Sequence, residues 1–319
     1  GIIVPWNYPL YLAIGPLVAA LAAGNRAMVK MSEFTPGFSA LLQRLCEQAF
    51  TPEELCIVTG GPEVAAQFSA LPFDHLLFTG STPVGRKVMG AAAANLTPVT
   101  LELGGKSPAV ITPGYPLDHA VERILAGKLL NAGQTCIAPD YVLLPRASLP
   151  AFVDTARAHV RRGYPAGLAD GNYCSIVNDR QYRRLVGHVD EAAQRGTLTE
   201  TLFDGAARDD AGRRLAPMLL IDPPADCGAM RDEIFGPVLP LVPYDSVDDA
   251  IAFVNARPRP LALYWFDRDN TRVERALQAI PAGGVTVNDT LLHITQESMP
   301  FGGVGASGMG HYHGRWGFD

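Results

Sequence analysis

Two hydrophobic rhythms alternate along the chain. Short apolar runs, the pattern of strands buried on both faces, are separated by stretches in which apolar residues recur every three or four positions, the pattern of a helix with one buried side. Gly1-Ile2-Ile3-Val4 reads as a strand, and Leu10, Ile14, Leu17, Val18 and Leu21 then fall at helical spacing up to the helix stop Gly24-Asn25. Residues 27–30 form the next strand, and Thr35-Pro36 reads as an N-cap followed by proline at the first helical position. Leu41, Leu42, Leu45, Cys46 and Ala49 are the apolar face of that helix. Strands follow at 55–59, 75–79 and 99–103, with helices at 64–69 and 84–94 between them.

After Gly104-Gly105 the alternation restarts. A strand at 109–111 precedes a helix with the face Leu117, Val121, Ile124, Leu125 and Leu129; a strand at 141–144 and a helix at 149–160 come next. Further strands lie at 238–243, 261–266 and 284–288, with helices near 247–256 and 271–280. Residues 163–175 and 204–217, rich in Gly, Asp, Arg, Ala and Pro, read as surface loops. Strand and helix in this order imply crossover units and parallel sheets covered on both faces, hence an α/β protein whose ligands bind at the carboxyl ends of the strands. The predicted organisation is a Rossmann-like domain at 1–103, a second α/β domain at 104–299, and a C-terminal segment at 300–319 returning toward the first domain and the active site.

Composition narrows the class. The chain has 319 residues, enough for two domains at about 150 residues each. With 48% hydrophobic and 18% charged residues it is too apolar for disorder, and it has no internal repeat. A net charge of −6 argues against a nucleic-acid surface or an anionic membrane partner. Cys46, Cys56, Cys136, Cys174 and Cys227 are dispersed, odd in number and never paired as Cys-x-x-Cys, so neither a disulfide framework nor a metal site is predicted. A reducing cytoplasm fits best. The uncharged opening, with Ala20-Leu21-Ala22, invites a signal-peptide reading, but it lacks a basic start, and Pro5, Trp6, Asn7, Pro9, Gly15 and Pro16 interrupt any apolar span. Because the chain starts without methionine, inside a strand, it reads as a piece of a longer protein.

Candidate chemistry centres on Asn131-Ala132-Gly133-Gln134-Thr135-Cys136-Ile137-Ala138-Pro139-Asp140, a loop between a predicted helix and a predicted strand. Gly133 permits close backbone approach to a ligand, and small or polar neighbours leave the Cys136 sulfur accessible, as a nucleophile requires. A buried structural thiol is the bland alternative. Glu102 ends a strand before Gly104-Gly105, where a buried carboxyl could act as a general base; a turn cap or a pair with Lys106 is the alternative. The Asn7 amide, also just past a strand, could donate to an oxyanion or merely cap the helix behind it.

Thr79-Gly80-Ser81-Thr82-Pro83-Val84-Gly85 lies between a strand and a helix, where backbone N–H groups attract a pyrophosphate and Ser81 and Thr82 offer hydroxyls. Lys30 and Glu33 follow the second strand, the place from which a Rossmann-like sheet reads an adenosine ribose. A carboxylate there bonds the 2′-hydroxyl and repels a 2′-phosphate, so Glu33 favours NAD over NADP. Glu233-Ile234-Phe235-Gly236-Pro237 offers a carboxylate and an aromatic face for the second ribose and the nicotinamide. Gly303-Val304-Gly305-Ala306-Ser307-Gly308 has dinucleotide-fingerprint spacing, but no crossover unit follows it, so it is read as a flexible loop near the active site.

Taken together, Pro5-Trp6-Asn7-Tyr8-Pro9, Lys30-x-x-Glu33, Phe78-Thr79-Gly80-Ser81-Thr82, Leu101-Glu102-Leu103-Gly104-Gly105-Lys106, Gly133-Gln134-Thr135-Cys136, Glu233-Ile234-Phe235-Gly236-Pro237 and Pro300-Phe301-Gly302-Gly303 resemble the successive signatures of the aldehyde dehydrogenase superfamily, across almost the whole chain. The run from Cys136 to Tyr141, Pro260-Leu261-Ala262-Leu263-Tyr264, Asn288-Asp289-Thr290 and Tyr312-His313-Gly314 resemble its branch for fatty and aromatic aldehydes, which includes coniferyl aldehyde dehydrogenase. The resemblance implies a Cys136 nucleophile, a Glu102 base and an oxyanion held by Asn7 and the Cys136 N–H. It places the coenzyme on Trp6, Lys30, Glu33, Gly80, Ser81, Val84, Leu103, Glu233 and Phe235. Tyr8, Leu12, Leu291 and His293 are candidate substrate contacts from their places in the chain. An aldehyde, aromatic such as coniferaldehyde or medium-chain aliphatic, is the implied small-molecule partner, with NAD or NADP as cofactor and a homodimer for the full-length protein. Family members also carry segments before the Trp-Asn motif and beyond Phe318, so a catalytically silent fragment stays open as an alternative. Acyl transfer to coenzyme A is a further one, disfavoured by the presence of Glu102 to activate water.

Overall fold

The computed structural model describes residues 1–319. The chain opens with strand β1 (Ile2–Ile3), helix α1 (Pro9–Ala22), β2 (Ala27–Lys30), α2 (Pro36–Ala49), β3 (Leu55–Val58), α3 (Pro62–Ser69), β4 (Leu76–Thr79), α4 (Thr82–Ala93) and β5 (Val99–Glu102). It continues through β6 (Pro108–Ile111), α5 (Leu117–Leu129), β7 (Tyr141–Pro145), α6 (Leu149–Gly163), α7 (Asp179–Gln194) and β8 (Leu198–Thr201). A small hairpin of β9 (Arg208–Asp209) and β10 (Arg214–Leu215) leads to β11 (Met218–Ile221), α8 (Gly228–Arg231), β12 (Val238–Tyr244), α9 (Val247–Asn255), β13 (Ala262–Phe266), α10 (Asn270–Ala279) and β14 (Gly284–Val287). The chain closes with β15 (Gly308–Met309) and α11 (Gly314–Phe318). This is an α/β protein. No helix is long and apolar enough to cross a membrane.

Two compact units divide the chain: residues 1–104 with 294–319, and residues 105–293. The sequence pattern had put the corresponding breaks after 103 and after 299.

The sheet of the first unit runs β15-β5-β4-β1-β2-β3. All neighbours are parallel except β15, which returns antiparallel along β5. Ile3, Phe68, Leu76, Phe78, Val88, Ala92, Leu101 and Leu103 form a buried core cluster there. From β1 the chain winds one way to β2 and β3, then the other way to β4 and β5, so a topological switch lies between β1 and β4. The second unit has the order β14-β13-β6-β7-β12-β11-β8, parallel but for β8 on the edge. Trp265, Tyr264, Phe266 and Tyr141 are fully buried in it, as strands covered on both faces require.

Several elements differ from the sequence expectation. In α1 the buried side is Leu12, Ala13, Pro16 and Leu17, while Leu10 and Val18 face solvent. That helix is apolar nearly all round, so spacing alone could not pick its inner face. In α2 the buried residues are Ser39, Leu42 and Cys46, with Leu41 and Leu45 outside. Thr35 does precede α2, but its hydroxyl donates to the Ser32 carbonyl instead of capping the helix. The stretch 204–217 is not all loop: it holds the β9–β10 hairpin, and Leu215 and Ala216 are fully buried. Helix α7 and strands β8 and β11 were missed. The signal for α7 was present in Tyr182, Leu185, Val189 and Ala192, a buried stripe at helical spacing among charged residues.

Candidate active site

In the first unit, the parallel strands bring their carboxyl ends to one edge of the sheet. Trp6 and Asn7 follow β1, Lys30 and Glu33 follow β2, Gly80, Ser81 and Val84 join β4 to α4, and Glu102 and Leu103 end β5. The switch between β1 and β4 is therefore flanked by Trp6-Asn7 and Gly80-Ser81. Trp6 and Asn7 are half-buried, and Ser81, Val84 and Glu33 are exposed. Lys30 is buried, its ammonium donating to the Met31 carbonyl at 2.7 Å. Burial lowers the Lys30 pKa, with the Glu33 charge opposing. Leu103 is buried against the position of Gly85, where a Cβ would come within 2.6 Å of its side chain.

Glu102 is 2% exposed, and neither carboxyl oxygen has a hydrogen-bond partner. Burial without compensation favours the neutral acid and raises its pKa well above 4.5. Lys106 is not its partner. The Lys106 ammonium bonds Asp140 and the carbonyls of Ala229 and Asp232.

The second unit carries Cys136. Helix α5 ends in a turn at Leu130–Gly133 in which Asn131 and Ala132 both take φ near +52°. Gly133 follows at φ +76°, and a Cβ there would sit 2.2 Å from the Gly236 carbonyl oxygen. Only glycine lets the nucleophile turn lie against the Phe235-Gly236 backbone. The Gln134 side chain donates to the Asn131 and Ser175 carbonyls and accepts from the Val177 N–H, at 2.9–3.1 Å. Tyr264, from the centre of β13, donates its hydroxyl to the Ile137 carbonyl. Against this bracing Cys136 remains half-exposed, between buried Thr135 and Ile137.

The Glu233 segment is fixed to the same loop. Asp140 accepts the Ile234 N–H at 2.8 Å on one oxygen and Lys106 on the other. The Arg184 guanidinium donates to the Glu233 and Ile234 carbonyls at 3.0 and 2.6 Å. Burial and the Asp140 charge push the Glu233 pKa up to about 8, opposed by the Gly105 N–H, Lys106 and Arg184. Phe235 is held at φ +48°, a left-handed conformation that a bulky side chain rarely takes and that often marks a functional position. Leu291 lies close by, its N–H bonding the Tyr264 hydroxyl, and His293 packs on Tyr264 with ring centroids 6.1 Å apart. Leu12, by contrast, is buried, one helical turn past Tyr8.

Sequence reasoning missed the bracing residues Gln134, Asp140, Tyr264 and Arg184, and the fully buried Lys128, whose pKa burial lowers to about 8. Gln134 and Asp140 stood inside the singled-out loop, and a lysine on the apolar side of α5 was a visible anomaly.

In its two units the chain carries a parallel sheet with a topological switch, a half-exposed thiol on a braced loop and a buried carboxyl without a hydrogen-bond partner, in an α/β dehydrogenase architecture. The chain belongs to the aldehyde dehydrogenase family, whose pattern it matches over residues 1–319. It is 52% identical to a Pseudomonas aeruginosa protein named "Probable coniferyl aldehyde dehydrogenase", over all of this chain and 66% of that one. The chain thus spans just under two thirds of the length of that relative. Among solved structures it resembles the substrate-bound state of Staphylococcus aureus AldH, with TM-score 0.93 and 41% identity over 99% of this chain and 69% of that one. It also resembles a Mycobacterium tuberculosis aldehyde dehydrogenase complexed with NAD+, with TM-score 0.89 and 31% identity over 100% and 66% of the two chains.

Proposed function

We propose that the protein oxidises an aldehyde to its carboxylic acid with a nicotinamide coenzyme, through a thioester on Cys136. The observation that carries this reading is the half-exposed Cys136 on a turn braced by Gly133, Gln134 and Tyr264, in a chain of this family. The Cys136 thiol adds to the carbonyl carbon, and the Asn7 amide and Cys136 N–H donate to the oxyanion. The coenzyme, when bound, supplies the hydride acceptor. Glu102 then takes a proton from water, which displaces the thiolate and releases the acid. The sum is aldehyde, water and NAD+ to carboxylic acid, NADH and a proton. Glu102 also takes the thiol proton at the start, since an ordinary cysteine, with a pKa of about 8.5, is mostly protonated at neutral pH.

The residues on the carboxyl edge of the first sheet fit the coenzyme. The exposed start of α4 with Gly80 and Ser81 suits a pyrophosphate, Val84 borders it, and Lys30 and Glu33 suit an adenosine ribose. The exposed Glu33 carboxylate favours NAD. Trp6 and Leu103 frame the nicotinamide end, and in the second unit Glu233 and Phe235 hold its ribose and ring. We assign the substrate as an aromatic aldehyde such as coniferaldehyde, or a medium-chain one. This rests on the branch resemblance, on the name of the P. aeruginosa relative, and on the places of Tyr8, Leu12, Leu291 and His293 in the chain. A homodimer for the full-length protein and a cytoplasmic location belong to the same reading.

The test is to mix the purified chain with NAD+ and coniferaldehyde, benzaldehyde or hexanal, follow NADH, and identify the products with and without coenzyme A. Free acid in both cases is expected. An acyl-coenzyme A product would move the protein to the acylating class, and a folded chain that makes no NADH would support the silent-fragment reading. Strong preference for charged semialdehydes would overturn the substrate assignment.

A further inference from the structure

The glycine-rich run 303–308, discarded as a dinucleotide fingerprint, is neither loose nor idle. Its end forms β15, antiparallel to β5, with Gly308 opposite Glu102 and Met309 opposite Leu101. The Leu103 N–H donates to the Ser307 carbonyl at 3.1 Å. The Ser307 hydroxyl closes the run on itself, accepting from the Val304 N–H and donating to its carbonyl at 2.8 and 3.0 Å. At Gly308, φ is +152° and a Cβ would lie 2.2 Å from the Leu101 carbonyl oxygen, so the strap packs directly on the strand that ends in Glu102.

On its other side, the same strap is tied to the turn that opens α4. The Thr82 hydroxyl donates to the Ala306 carbonyl at 3.0 Å, and the Gly80 N–H donates to the Glu102 carbonyl, also at 3.0 Å. These bonds close a ring from Gly80 to Glu102, across to the strap, and back through Thr82. The Glu102 carboxyl has no hydrogen bond of its own, so the ring and the packing around it are what fix its place. Thr82, which the sequence offered as a phosphate ligand, spends its hydroxyl on the strap.

We propose that the strap couples the 80–82 turn to Glu102, with Thr82 as a positioning residue: a pyrophosphate bound at the turn steadies the backbone that carries the base. The coupling rests on the coenzyme reading above; the ring itself does not.

The experiment compares the chain with Thr82→Val, which keeps the shape and loses the donor, and Thr82→Ser, which keeps the donor. Amide hydrogen exchange at Leu103 without coenzyme comes first. It should speed up about fivefold to tenfold in T82V, the effect of one neutral hydrogen bond, and stay at the parental rate in T82S. Equal exchange in all three would overturn the ring. If T82V does not fold, Thr82→Ala serves the same comparison. With saturating NADH, exchange should slow at both 80–85 and 99–104 in the parent, and only at 80–85 in T82V; slowing at both in T82V would overturn the coupling. A parent that binds no NADH would refute the coenzyme reading and the coupling with it, while leaving the ring to be judged by the first measurement. In turnover at saturating NAD+, T82V should show an NADH burst followed by a several-fold lower kcat, as expected when thioester hydrolysis slows. A raised KM for NAD+ with unchanged kcat would assign the hydroxyl to the coenzyme instead.

Discussion

Glu233 shows at single-residue scale what burial does to a carboxyl group. Its carboxyl pKa is pushed from 4.5 to about 8, chiefly by burial and then by Asp140. A folded-state pKa above the unfolded one means that the fold favours the protonated acid. The associated stability is complete below about pH 4.5 and is lost as pH rises toward 8. Glu233→Gln removes that titration. The variant should match the parent in urea denaturation near pH 4.5 and exceed it near pH 8, by a few kcal/mol at most, since a tenfold change in an acid's ionisation constant corresponds to about 1.4 kcal/mol. A difference independent of pH would show that Glu233 is not held in this way. Cys136 and Glu102 could be singled out from sequence because a small-residue loop and a strand-ending carboxyl are local patterns. The absence of any partner for Glu102 was not legible, since it depends on Lys106 turning away to Asp140.

Among the elements, the α5–β7 connection is held by a few buried contacts that should be intolerant of change. Gly133→Ala places a methyl group against the Gly236 carbonyl and puts alanine at φ +76°; a loss on the order of 3 kcal/mol and a slower Cys136 alkylation are expected. Asp140→Asn tests the other anchor. One asparagine atom can still accept from Ile234, but its NH2 then faces the Lys106 ammonium, donor against donor. Urea denaturation should show a loss of about 3 kcal/mol, because breaking a buried pair leaves the remaining charge uncompensated. A loss below about 0.5 kcal/mol for either variant would mean that the loop is not anchored as described. At this scale the sequence served well where apolar stripes were clean, as in α5, and poorly where polarity hid a buried face, as in α7, or where a helix was apolar all round, as in α1. The strap at 303–309 was misjudged because its structure comes from pairing with β5, some two hundred residues earlier in the chain.

Across the whole molecule, the proposed reaction divides its groups between the two units: Asn7 and Glu102 come from the first, Cys136 and Glu233 from the second. The two-sheet α/β class was legible because strand and helix alternate throughout, and the restart after Gly104-Gly105 marked a second sheet. The edge strand β8 was not, because its Leu-Thr-Glu-Thr run is polar and only partly buried. The reaction leaves one signature that no other role for these residues would produce. Mixed with NAD+ and coniferaldehyde, Glu102→Gln should form about one equivalent of NADH, more slowly than the parent because the thiol has lost its base, and then stop, and intact-protein mass spectrometry should then find the acyl group on Cys136. Glu102→Gln with Cys136→Ala should form neither product. NADH without an adduct, or an adduct on a residue other than Cys136, would contradict the thioester mechanism.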